Sequence, residues 1–145
     1  MESLKILKTE IDSHIESFSS KANRDKGKTF RFKLATLTLT LIATLALGIE
    51  FGEENKVLMK NAAFVCSAFV TFLTGLDLYY NHKGLWVQYV KTRNQLYALK
   101  YEIKISEAHE KDLNEDLVKE FSQKLERILE ECNKWWLKER SREDA

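Results

Sequence analysis

Two stretches of the chain carry no charge: LATLTLTLIATLALGI, Leu34 to Ile49, and NAAFVCSAFVTFLTGL, Asn61 to Leu76. The first opens with alternating leucine and threonine, the period of a half-buried strand. A lone strand at membrane depth leaves its backbone unpaired, whereas a helix satisfies its own amides and carbonyls. Threonine suits such a helix, because its hydroxyl bonds the carbonyl one turn back. Two charge-free runs joined by a short connection therefore predict a transmembrane helical hairpin.

As helix, each run covers only about 24 Å of a hydrocarbon core about 30 Å thick. The flanks make up the difference. Phe30 and Phe32 lengthen the first run behind Arg31 and Lys33, whose long stems can snorkel, and Phe51 lengthens it past Glu50. Val57, Leu58 and Met59 extend the second behind Lys60, and Tyr79 and Tyr80 supply interfacial aromatics at its far end. The expected spans are 30–52 and 55–80. A soluble bundle with two very apolar core helices is the alternative, since charge-free runs shorter than about 18 residues suit either setting.

The remaining segments are periodic rather than uniformly apolar. Leu4, Leu7, Ile11, Ile15 and Phe18 lie three or four apart, predicting a helix over 3–21 that ends near SSKANRDKGK. Leu85, Tyr89, Thr92, Leu96, Leu99 and Ile103 alternate steps of four and three, a coiled-coil seam on an extension over 81–106 that continues the second span without a break. SEAHEKDLNED interrupts it, with Asp112 and Glu115 placed as a capping box for a last helix over 112–140. There Val118, Phe121, Leu125, Ile128, Cys132 and Trp135 form another seam. With no proline and five glycines, the whole reads as all-α, a single domain over 1–145. Its expected architecture is a two-helix transmembrane hairpin with N- and C-terminal amphipathic cytoplasmic helices. One thin bundle of this kind buries its stripes poorly. Homo-oligomerisation through Leu96, Leu99, Ile103, Phe121, Leu125, Ile128 and Trp135 is the expected completion.

Charge adds an orientation. The chain of 145 residues is 31% charged with a formal net charge of +1, which carries no signature for nucleic acid. Locally, Lys21, Arg24, Lys26, Lys28, Arg31 and Lys33 crowd the approach to the first span, and Lys83, Lys91 and Arg93 follow the second. The connection EFGEENK holds Glu50, Glu53 and Glu54 against Lys56. By the positive-inside rule both termini are cytoplasmic and the connection is outside. The first run lies too deep to be a cleaved signal peptide. Cys66 falls mid-span and Cys132 near the far end, so no mutual disulfide is expected.

Chemistry-bearing patterns are sparse. His14, His82 and His109 stand alone, without HExxH or Cys/His spacing, so no metal and no cofactor is expected. There is no GxSxG, no glycine-rich phosphate loop, and Glu130 and Glu131 belong on a solvated face where Lys134 lies one turn on; no enzymatic activity is expected. The spans carry hydroxyls instead. Thr36, Thr40 and Thr44 recur every four residues on the first, while Ser67, Thr71 and Thr74 share a face of the second with Ala63 above them. Such stripes either let helices pack closely, with hydroxyls bonding across the contact, or wet the wall of a pore built from several hairpins. Asp77 lies at the cytoplasmic boundary and needs water or a cation such as Arg31 or Lys33; in several copies it would ring a pore mouth. Trp86, Tyr89, Tyr97 and Tyr101 suit an interfacial belt or a bundle seam better than a ligand cleft.

The order of parts, with LWVQYVKTRNQLYALKYEI opening the long helix and FSQKLERILEECNKWW ending the last, resembles the SLATT superfamily of two-transmembrane effectors. The resemblance covers Phe30 to Trp136 and rests on Trp86 with Tyr89, then Arg93, then Leu99, Lys100 and Glu102, and last Phe121, Leu125, Glu126 and the pair Trp135 and Trp136. Val90 follows Tyr89 where the family pattern has arginine, and Tyr97 stands where it has an acidic residue. The resemblance implies an effector in the bacterial inner membrane, part of a nucleotide-signalled antiviral conflict system. A partner makes or senses the nucleotide, and the effector forms pores or otherwise disrupts the membrane of the infected cell.

Overall fold

The computed structural model describes residues 2–49, 53–109 and 114–143. Among these the chain is helical, with no strand, in four helices: α1 Glu2–Gly48, α2 Glu53–Tyr80, α3 His82–His109 and α4 Glu115–Glu143. The connection carrying Glu50, Phe51 and Gly52 lies outside the described residues, as does the capping residue Asp112. The described start of α4 is capped by Asn114, whose carbonyl accepts the amides of Leu117 and Val118 at 3.1 and 3.3 Å.

The chain divides into two compact units, a finer division than the single domain expected. One comprises residues 1–25 and 84–145, the other Lys26–Lys83. In the first, α3 runs antiparallel to both α1 and α4. Lys8 pairs with Glu107, and Lys100 with Asp12 at 2.5 Å, fixing α1 against α3; Lys124 pairs with Glu102 at 2.5 Å, fixing α4 against α3. Between them lies one core of Leu7, Ile11, Ile15 and Phe18 from α1, Leu96, Leu99 and Ile103 from α3, and Phe121, Leu125 and Cys132 from α4. These are the residues that the three-and-four spacing marked as apolar. Burial of each large side chain contributes about 1.5 to 3 kcal/mol, whereas each partly exposed ion pair contributes about 0 to 1 kcal/mol, so the core holds the bundle and the pairs set its register.

Three expectations change. The seam residues Leu96, Leu99, Ile103, Phe121 and Leu125 are not left for a second copy but are buried within one chain, with Ile128 packed against them and Trp135 half-buried. A third helix, α1, supplies the cover that two seams alone lack. The break expected near SSKANRDKGK is absent, because Ala22, Asp25 and Thr29 continue the three-and-four spacing as buried positions and no proline interrupts them. Gly27 costs about 1 kcal/mol in a helix interior, too little to end one so strongly patterned on both sides. Conversely, the second span does not pass unbroken into its extension. Asn81 separates α2 from α3 with φ of 40°, while its amide still donates to the Asp77 carbonyl at 3.0 Å. Asparagine is one of the few residues besides glycine that visit this left-handed region at modest cost.

Candidate functional site

The Lys26–Lys83 unit inverts the usual placement of apolar residues. Leu37, Leu41, Leu47, Phe69 and Phe72 are exposed, and Phe64 is 76% so. Only 6% of the most apolar window in each helix is buried within the chain. Apart from Thr29 and His82 near its Lys26 and Lys83 end, what the unit buries is small: Ala43 and Ala63, with Leu39, Ala46, Cys66, Val70 and Leu73 half-buried. Small residues let helix backbones approach closely, and the large side chains are turned outward. Two helices are thus long and apolar enough to cross a membrane.

The hydroxyl stripes lie mostly on the outward side. Thr36 is half-buried, but Thr40, Thr44, Ser67, Thr71 and Thr74 are exposed. None of these hydroxyls reaches a neighbouring helix. Thr36 donates to the Phe32 carbonyl at 2.9 Å, Thr40 to Thr36 at 2.8 Å and Thr44 to Thr40 at 2.9 Å. On α2, Ser67 donates to Ala63 at 2.9 Å, Thr71 to Ser67 at 3.1 Å and Thr74 to Val70 at 2.8 Å. Hydrogen bonding between the two stripes, one of the uses open to them in the sequence, does not occur within the chain. The reason is geometric: a step of four residues advances about 40° beyond a full turn, so a stripe at 36, 40 and 44 winds off the contact face that Ala43 and Ala46 occupy.

At the Lys26 and Lys83 end, the Phe32 ring stacks on His82 with centroids 6.0 Å apart, and Tyr80 stacks on the same imidazole at 5.5 Å. Tyr79 meets Tyr80 edge-on at 5.2 Å. Asp77 is half-buried one turn inside, and its Oδ1 has no hydrogen-bond partner. Neither Arg31 nor Lys33, the cations proposed for it from the sequence, pairs with it.

In the bundle, Tyr89 packs on Phe18 with centroids 5.9 Å apart, while Tyr97 and Tyr101 are exposed and Trp86 is half-buried. The four aromatics do not converge. A shallow groove instead joins Phe18, Lys21, Tyr89, Cys132, Asn133 and Trp136, a set from three helices that no linear motif reveals. Burial raises the Tyr89 hydroxyl above its ordinary range, with the charge of Asp25 and the Cys132 thiol acting in the same direction. Glu130 bonds Lys134 at 2.8 Å, as its spacing suggested, and this bond holds its carboxyl below the usual range. Both cysteines are free, Cys66 half-buried and Cys132 buried. Among the described residues, no three His, Cys, Asp or Glu side chains come together to hold a metal.

No family model, curated protein or solved structure matches this chain.

Proposed function

We propose that the chain is a non-enzymatic two-span membrane protein whose Lys26–Lys83 unit inserts as a hairpin, both termini cytoplasmic, and assembles in several copies to form a pore or membrane lesion governed by the helical bundle. The observation that carries the proposal is the bare apolar surface of that unit. More than a dozen large apolar side chains are exposed on it. Monomeric soluble proteins rarely expose contiguous apolar patches beyond a few hundred Å², and full burial of each such side chain contributes about 1.5 to 3 kcal/mol. Summed over this surface, the gain on entering lipid exceeds the roughly 5 to 15 kcal/mol that holds a whole domain folded. The soluble bundle, which needs these residues inside, loses on that comparison.

The SLATT-like residues from Trp86 to Trp136 support an effector role in the bacterial inner membrane, with a nucleotide-signalling or sensor protein as partner. Pore formation is supported by hydroxyls that face out from the hairpin, where only lipid or another copy can meet them. Expression in bacteria with a potential-sensitive dye tests it: induction of the protein depolarises the cells. Intact potential with the protein confirmed in the membrane fraction sinks pore formation. It would leave a membrane-anchored scaffold, which is favoured by one observation: the bundle closes its seams within one chain and presents a charged surface suited to positioning other proteins.

A further inference from the structure

Exposed cations without an ion pair occur in both units, Lys5, Lys91, Lys104, Lys119 and Arg127 among those of the bundle, but in the Lys26–Lys83 unit four of them lie at one end of the apolar surface. In the bundle, Lys8, Lys100, Lys124 and Lys134 each meet a carboxylate. In the other unit, Lys28, Arg31, Lys33 and Lys83 are exposed and form no ion pair with any described residue. The Phe32–His82 stack brings them together, because Arg31 and Lys33 flank Phe32 in sequence and Lys83 follows His82. Exposed Phe30, Tyr79 and Tyr80 stand among them. Four unpaired cations interleaved with aromatics thus ring one end of a bare apolar surface, where the carboxylate of Asp77 is turned partly inward.

We propose that this collar binds anionic phospholipid headgroups: Lys28, Arg31, Lys33 and Lys83 hold the phosphates, while Phe30, Tyr79 and Tyr80 sit at headgroup level. The inference rests on the membrane reading given above and deepens it by naming the lipid. Charge complementarity selects the occupant. Unpaired cations demand anions, and anions that come attached to acyl chains meet both the collar and the apolar surface below it. A nucleic acid meets only the first. Each cation near an anionic leaflet favours association by roughly fivefold, and the aromatics fix the depth at which those cations lie.

The full chain is reconstituted into vesicles of phosphatidylcholine with a minority of phosphatidylglycerol, extracted in mild detergent, and the lipid it retains is quantified by mass spectrometry. The wild type retains phosphatidylglycerol enriched at least about threefold over the input, and the quadruple variant K28Q/R31Q/K33Q/K83Q returns to the input ratio. The charge-preserving variant K28R/K33R/K83R keeps the enrichment, which separates loss of charge from damage to the fold. Retention by the wild type at the input ratio, or equal enrichment in the quadruple variant, overturns the proposal while leaving membrane insertion standing. Displacement of the retained lipid by an added oligonucleotide overturns it in favour of nucleic acid. Failure of the wild type to float with vesicles of either composition overturns the membrane reading itself, and the collar with it.

Discussion

Leu96→Ala is the sharpest perturbation of the bundle, because Leu96 is 0% exposed between α1 and α4 partners in a core that is closed within one chain. Removing a fully enclosed leucine side chain costs its transfer free energy and leaves a cavity, together about 3 kcal/mol. For a unit of this size each kcal/mol moves the midpoint by about 4 to 8 °C, so the variant should melt about 12 to 24 °C lower. The three tryptophans Trp86, Trp135 and Trp136 all lie in the bundle unit, so their near-ultraviolet signal reports this unit separately from the apolar helices. Melts of the full chain in detergent at two widely spaced protein concentrations complete the assay. A core internal to one chain gives the same difference between wild type and L96A at both concentrations. An L96A variant that melts with the wild type, or one whose loss of stability vanishes at the higher concentration, would refute the closed three-helix core and return Leu96 to an interface between copies.

Other outcomes follow from single features. Asn81→Gly should be within about 1 kcal/mol of wild type, whereas Asn81→Val should lose at least about 1 to 2 kcal/mol in denaturant melts, since a β-branched residue resists φ of 40°; equal losses would dissociate the backbone conformation from stability. Alkaline titration should unfold the bundle in a defined way. The folded state binds the Tyr89 proton more tightly than the unfolded chain does, so stability falls as pH rises from the ordinary tyrosine value of 10.0 towards the raised folded one. Lys124, raised by its hydrogen bond to Glu102 and then by that to Glu120, contributes stability that is complete below the ordinary lysine value of 10.5 and is lost as pH climbs through its folded value. Tyr89→Phe should flatten part of this loss, and parallel curves would contradict the assignment. A cysteine placed at Glu53 should react with an impermeant reagent from outside the cell and one at Lys100 should not; the reverse pattern inverts the orientation. Leucine at Thr40 and Thr44 should leave each chain folded while lowering ion flux or oligomer size, whereas Ala63→Leu should overpack the unit by about 1 to 3 kcal/mol and reduce its yield in the membrane; a harmless A63L would mean the small-residue contact is loose.

Much of the bundle was legible in the sequence. Ile11, Leu96, Ile103 and Phe121 occur at the three-and-four spacing and are the largest fully buried apolar side chains. Periodicity, however, tells which face of a helix is apolar and not which element covers it. Nothing in the spacing of Leu99 or Leu125 distinguishes α1 of the same chain from a second copy. The first helix is expected to end near SSKANRDKGK, yet Ala22, Asp25 and Thr29 keep the helical period through that segment. For the hydroxyl stripes the residues were evident and their direction was not. Whether Thr40 faces a partner helix depends on where Ala43 and Ala63 make the contact, and that is a property of packing rather than of one strand of sequence. Asn81 carried a faint signal, asparagine shortly before Gly84, that a seam unbroken by proline outweighed.

The outward hydroxyls have a polarity of their own. A threonine hydroxyl has one proton and two lone pairs, and at Thr40, Thr44, Thr71 and Thr74 the proton already points back to a carbonyl of the same helix. What each presents to its surroundings is therefore oxygen without hydrogen. Two such faces brought together have acceptors opposite acceptors, and can bond only by breaking a bond each already makes. Water, an ammonium group or a small metal cation meets that face with no such conflict, whereas chloride or a phosphate oxygen finds no donor on it. A conduit lined this way would favour positive charge before any carboxylate is counted.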